Sequence, residues 1–274
     1  MDKIKASTTF RKKGTCSQTF THILNREMGN LNESVERAAD PLAGGILQKG
    51  HQCGMIWGSA LALGMEAFRK FKNPSQAKYL AISGTQKLVS SFKATNNNIN
   101  CRDITSCDFS SKWSFLKYMI SGRFLQCFKM ADRWAPEALR VAEEGLNGEL
   151  NNENSNNCAS EVIAKMDGTE EEQVMVAGFA GGLGLSGEGC GALSAVIWKK
   201  ALDWSKENPE KSTFYNPESG QVLNRFLKFT QGEMICRNIC RRQFESASEH
   251  SEYIEGGGCY DLMTQLTNPE QLPL

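Results

Sequence analysis

The sequence predicts an all-α protein made of two tandem helical-bundle repeats related by internal duplication. Three observations predict it. Ten cysteines fall at 16, 53, 101, 107 and 127, then at 158, 190, 236, 240 and 259, with offsets drifting from 142 to 132. Apolar residues recur at helical spacing, while no alternating β-branched run stands out and hairpin signals are few. Between the cysteine sets lies LNGELNNENSNN (146–157), an Asn-rich stretch without apolar periodicity that reads as a linker. The expected organisation is a first repeat over 1–145, the linker over 146–157 and a second repeat over 158–274, each repeat a unit of four or five helices.

Taken in order, the chain opens on MDKIKASTTFRKKGTC, which lacks the apolar core of a signal peptide. No run approaches the roughly 18 apolar residues that cross a bilayer. A soluble cytoplasmic protein is expected. The next feature is AGGILQKGHQCG (43–54), a glycine-rich loop ending on Cys-Gly. Asn73-Pro74 then places an N-cap residue before proline at a first helical position. Gln86, Leu88, Lys93, Thr95, Cys101, Arg102 and Ile104 follow, and all recur 135 residues later, at Gln221, Leu223, Lys228, Thr230, Cys236, Arg237 and Ile239. CFKMADRWAPEAL closes the first repeat, as CYDLMTQLTNPEQL closes the second.

The second repeat begins at Cys158. Thr169 with Glu172 forms a capping-box pattern ahead of an apolar run. AGGLGLSGEGCG (180–191) matches the first glycine loop at its paired glycines and its terminal Cys-Gly. Beyond Cys190, the positions Leu193, Ile197, Ala201 and Trp204 lie on one helical face. Asn216-Pro217 marks another helix start, and Cys236 and Cys240, four apart, share a helix face.

Composition narrows the chemistry. Lys+Arg and Asp+Glu stand at 31 each, so no global charge attracts nucleic acid or an anionic membrane. GLGLSG (182–187) has the letters of a dinucleotide fingerprint, but no strand precedes it and the first loop lacks the central glycine. No Gly-Lys-Ser/Thr follows either loop. What both loops keep is a cysteine at a helix start. There, free amides and the helix dipole favour a thiolate, the form that binds metal or attacks a disulfide. Gly181, Gly182, Gly187 and Gly191 would let the backbone approach a bound group and offer amides to sulfur. The other reading is that they let helices pack around a buried cysteine. His22, His51 and His250 have no partner kept in both repeats, so a Cys–His nucleophile is unsupported. Arg102 and Arg237 stand ready either to stabilise a thiolate or to form ordinary ion pairs.

The order of a lone Cys, a Gly-rich loop ending in Gly-Cys-small, and further spaced cysteines resembles the C_GCAxxG_C_C family of redox-active proteins, whose motif also occurs in split-Soret cytochromes. The second repeat matches better, through NCASEV, GGLGLSGEGCGALSA, CRNI and Cys259. Gly191 and Ser194 depart from the motif, as does Gln52 before Cys53. No Cys-x-x-Cys-His is present, so no haem is expected. The resemblance implies cysteine-based redox function or an iron–sulfur cluster. The expected ligand sets are Cys158, Cys190, Cys236 and Cys259, and Cys16, Cys53, Cys101 and Cys127, with Cys107 and Cys240 as spare or replacement ligands. Electron transfer to a redox partner protein follows from this reading. Two alternatives stay open: a metal-free thiol–disulfide oxidoreductase attacking through Cys190 or Cys53, and a zinc-stabilised scaffold without catalysis.

Overall fold

The computed structural model describes residues 5–148 and 155–268. Among them the chain forms fifteen α-helices and three short 3-10 turns, with no strand. The first half carries α1 (Ala6–Lys13), α2 (Cys16–Glu27), α3 (Glu33–Ala38), a 3-10 turn (Asp40–Leu42), α4 (Gly54–Lys70), α5 (Pro74–Asn96), α6 (Cys101–Thr105), α7 (Lys112–Ile120) and α8 (Phe124–Leu146). The second carries α9 (Cys158–Lys165), α10 (Glu170–Met175), a 3-10 turn (Ala177–Phe179), α11 (Gly191–Glu207), a 3-10 turn (Thr213–Tyr215), α12 (Pro217–Phe229), α13 (Cys236–Cys240), α14 (Ala247–Glu255) and α15 (Tyr260–Thr267). There are more helices per half than the four or five expected. The additional ones, such as the five-residue α6 and α13, are too short to show a period.

The local signals act as their chemistry requires. Asn73 and Asn216 cap α5 and α12 through their side chains, each ahead of proline. Thr169 and Glu172 close a capping box at the start of α10. Asn157 caps α9 by accepting from the Ser160 amide at 2.9 Å, so the end of the Asn-rich stretch is buried and anchored. Residues 149–154 of that stretch lie outside the described residues.

The two halves correspond element by element. Helices α4 and α11 are both 17 residues long and stand 137 residues apart. Helices α7 and α14 both span nine residues behind a capping serine, Ser111 or Ser246. The halves also exchange contacts reciprocally: α4 packs on α10, and its counterpart α11 packs on α3, the counterpart of α10. This is the pattern of an approximate twofold. Trp57 on α4 meets Phe179 of the other half edge-to-face, with centroids 4.7 Å apart. Trp57, Trp134 and Trp198 are core residues, whereas Trp113 on α7 is 81% exposed.

The two glycine loops meet at this junction. The Gln52 amide donates to the Gly182 carbonyl at 2.7 Å. A Cβ at Gly189, the counterpart of Gln52, would stand 2.7 Å from the Gln52 side-chain oxygen. The departure from the motif at Gln52 therefore has a packing reason: one half supplies the side chain and the other leaves the space.

Candidate redox site

Each glycine loop folds as a left-handed turn. Residues 44–48 and 181–185 all have positive φ. The backbone bonds repeat as well: Leu47 donates to Pro41 and Gly50 to Gly44, as Gly184 donates to Gly178 and Gly187 to Gly181. A left-handed turn costs roughly 1–2 kcal/mol per non-glycine residue, so the paired glycines start it. Ile46 and its counterpart Leu183 adopt it while fully buried. Burying such a side chain contributes about 1.5–3 kcal/mol, enough to offset the cost. The turn also occupies the amides of residues 183–187, which a phosphate would need.

The turn leads into a short antiparallel bridge, Gln52 with Asn100 in one half and Gly189 with Ile235 in the other. Cys53 donates its amide to the Ile99 carbonyl and Cys101 donates to His51, both at 2.7 Å. Equivalent bonds join Cys190 to Met234 and Cys236 to Glu188. The bridges set Cys53 beside Cys101 and Cys190 beside Cys236. Of the predicted glycines, Gly181 gives its amide to the Cys158 sulfur, as Gly44 does to Cys16. A Cβ at Gly182 would stand 2.8 Å from the Glu188 backbone. Gly187 holds a φ of 73° next to Arg237, and Gly191 opens α11 against the Phe179 carbonyl. Gly54 leaves room for the Cys16 sulfur, which a Cβ there would meet at 2.5 Å.

In the first half, Cys16, Cys53, Cys101 and Cys127 come from four segments and line one cavity of about 470 Å³. The Tyr118 hydroxyl lies 3.3 Å from the Cys127 sulfur. In the second half the sulfurs touch: Cys236 to Cys240 at 3.8 Å, and Cys240 to Cys259 at 3.5 Å. Tyr253 reaches Cys259 at 3.9 Å. The Cys240 thiol favours a thiolate at Cys236, but burial and the nearness of Cys190 and Cys158 outweigh it and raise Cys236. Tyr118 and Tyr253 were not singled out from the sequence. The signal is that both lie seven residues after the capping serine of their helix, at the same 135-residue offset as the cysteine–arginine pairs.

The register revises one cysteine pairing. Helices α6 and α13 start at Cys101 and Cys236, and each is followed by a left-handed residue, Ser106 or Arg241. Cys240 therefore corresponds to Thr105, not to Cys107. Cys107 is buried apart from the cavity wall and accepts from the Ser114 hydroxyl at 3.5 Å. Cys240 is a fifth thiol with no first-half counterpart.

The thiols differ in how they hold their protons. Burial pushes Cys190 up to about 12, although amides at the start of α11 favour its thiolate. Cys53 is raised through its hydrogen bond to Cys16 and by burial. Cys16 is the one drawn below the ordinary range, by the Cys53 thiol and then, against burial, by the amides of Gly44 and Ser17. The helix-start argument thus applies to Cys16, which opens α2, more than to the cysteines that end the loops. Burial also raises Cys101, Cys127 and Cys158. Cys240 is pushed up to about 12, first by its bond to Cys236, and Cys259 is raised by its bond to Cys240. Arg237 pairs with Glu188 at 2.6 Å and Arg102 with Asp108 at 3.5 Å, so both recurrent arginines form ion pairs.

Among the described residues, no three His, Cys, Asp or Glu side chains are arranged to hold a metal ion as they stand. In kind and number, the four thiols around the first cavity suit a cluster held by four thiolates. No described helix is long and apolar enough to cross a membrane.

Comparison with known proteins agrees with the cysteine pattern. The family described as "Putative redox-active protein (C_GCAxxG_C_C)" matches residues 15–138 and again 155–268. A stretch of 81 residues is 31% identical to an uncharacterized protein of Archaeoglobus fulgidus, covering 27% of this chain and 54% of that relative. The chain thus spans about half the length of that relative. No solved structure matches. With both matched regions carrying a glycine turn and its gathered thiols, the chain belongs to the C_GCAxxG_C_C family, in two tandem copies.

Proposed function

We propose that this chain is a redox protein whose cysteine thiolates hold an iron–sulfur cluster and pass electrons to a partner protein. The observation that carries the reading is the gathering of Cys16, Cys53, Cys101 and Cys127 around one cavity. Cys158, Cys190, Cys236 and Cys259 form the corresponding set, with Cys240 as an additional thiol. A bound cluster would supply one-electron chemistry. The chain's own part is to exclude water by burial, and to offer amides from Gly44 and Gly181 to sulfur. Tyr118 and Tyr253 would hold the last cysteine of each set. Thiols this buried favour their protons, and a bound cation repays the cost of ionising them. Replacing Cys101 and Cys127 together by serine is expected to remove about half of the bound iron and sulfide. Unchanged iron in that variant would contradict the ligand assignment.

A second reading rests on Cys240 and Cys259, half-buried and 3.5 Å apart. Here the Cys259 thiolate attacks one sulfur of a small disulfide, breaking its S–S bond and releasing a thiol. Cys240 then displaces the second thiol, leaving a Cys240–Cys259 disulfide and two electrons on the substrate. Cys190 and Cys53 are less accessible to a disulfide, being buried where Cys240 and Cys259 are partly exposed. If Cys240→Ser abolishes reduction of a small aromatic disulfide while Cys190→Ser does not, exchange is the activity. The opposite pattern removes this reading.

A further inference from the structure

We propose that the aromatic-walled part of the first-half cavity, beside the four thiols and not in contact with them, is a binding site for a small, flat aromatic molecule without negative charge. This deepens the redox reading by naming the class of compound its first site receives. At about 470 Å³ the cavity lies within the roughly 300–1,000 Å³ of small-molecule sites.

Its walls set the class. Beyond the thiols, Phe10, Phe124 and Phe128 line it as one edge-to-face group, with Phe10 and Phe128 centroids 4.9 Å apart. Phe109, Phe115 and Tyr118 form a second group, with Phe109 and Tyr118 at 5.2 Å. Ring faces and edges presented in two groups favour a flat aromatic guest over a saturated one of equal size. Lys13, the cation at the wall, already pairs with Glu36 at 3.0 Å, while the Asp40 carboxylate is met by the hydroxyls of Thr15 at 2.6 Å and Thr213 at 3.3 Å. An anionic guest would find no free counter-charge there and would face Asp40, so the guest carries no negative charge.

The second half is built differently at the same positions. Thr105 lines the cavity, and its counterpart Cys240 instead brings a sulfur against Cys236 and Cys259. Phe115, four residues after its capping serine, is replaced by the buried His250. Asp40 has Ala177 as its counterpart, each opening a 3-10 turn. The first half alone thus carries this combination. Phe115 and Met119 are each 42% exposed, so apolar surface at the mouth is available to be covered on binding.

The neutral naphthalene dye prodan, titrated into the full chain, tests this. Saturable, blue-shifted fluorescence is expected, and naphthalene should displace the dye about tenfold better than saturated decalin. Phe115→Ala should weaken dye binding at least about threefold. Trp113→Ala, on the same helix but outside the cavity wall, should leave it unchanged. Equal displacement by decalin, equal weakening by both variants, or no saturable binding would overturn the proposal. Iron and sulfide measured on the same sample separate the two readings. Dye binding without iron rejects the cluster alone, and iron without dye binding rejects the aromatic site alone.

Discussion

At the scale of single residues, the site is decided by which thiol escapes the cost of burial. Cys16 is partly exposed and is drawn down first by the Cys53 thiol and then, against burial, by the amides of Gly44 and Ser17, so it holds its proton less tightly than Cys53, Cys101 or Cys127. In the iron-free chain at neutral pH, iodoacetamide followed by peptide mass mapping should therefore modify Cys16 before Cys53, Cys101 or Cys190. Modification of Cys53 or Cys190 first would reverse this assignment. His250 gives a second residue-level test. Burial drops its pKa to about 4, while the unfolded chain titrates near the ordinary 6.5. Between these values the unfolded state binds the extra proton, so this stability is complete above pH 6.5 and lost as pH falls toward 4. The loss is on the order of 3 kcal/mol. His250→Phe, the aromatic type that Phe115 provides in the first half, should show a smaller drop in urea midpoint between pH 7.5 and 5 than the unmodified chain. Equal drops would exclude His250 as the cause.

At the scale of elements, the glycine loops matter through handedness. Sequence alone showed that both loops end on Cys-Gly and that neither follows a strand, and both readings hold. The left-handed turn was not legible, because Ile46, Leu47 and Gln48 are residues that rarely adopt positive φ and do so here only under packing. The bridges that bring Cys53 to Cys101 and Cys190 to Cys236 were also hidden, since two isolated residue pairs leave no alternating pattern. The capping signals at Asn73, Thr169 and Asn216 were readable because each acts within four residues. Gly182→Ala tests the turn: its φ is 82° and its Cβ would press on Glu188, so a loss of about 2 kcal/mol or more is expected in denaturant unfolding. An unchanged midpoint would show that the turn is not needed in this form.

At the scale of the whole molecule, duplication has produced interlocked halves with unequal sites. The equal cysteine order was legible from spacing, but the register that matches Cys240 to Thr105 required the helix ends at Ser106 and Arg241. Each half has the length of a domain, yet α4 and α11 bury faces against α10 and α3 of the opposite half, and Trp57 packs on Phe179. A fragment of residues 1–145 would expose these faces and is expected to unfold without a cooperative transition; a sharp transition would show that it is self-sufficient. The central claim, that the gathered thiols hold an iron–sulfur cluster, is tested most directly by purifying the full chain anaerobically and measuring iron, acid-labile sulfide and visible absorption. The account predicts coloured protein containing both iron and sulfide. Colourless protein that lacks both and cannot be reconstituted would contradict it.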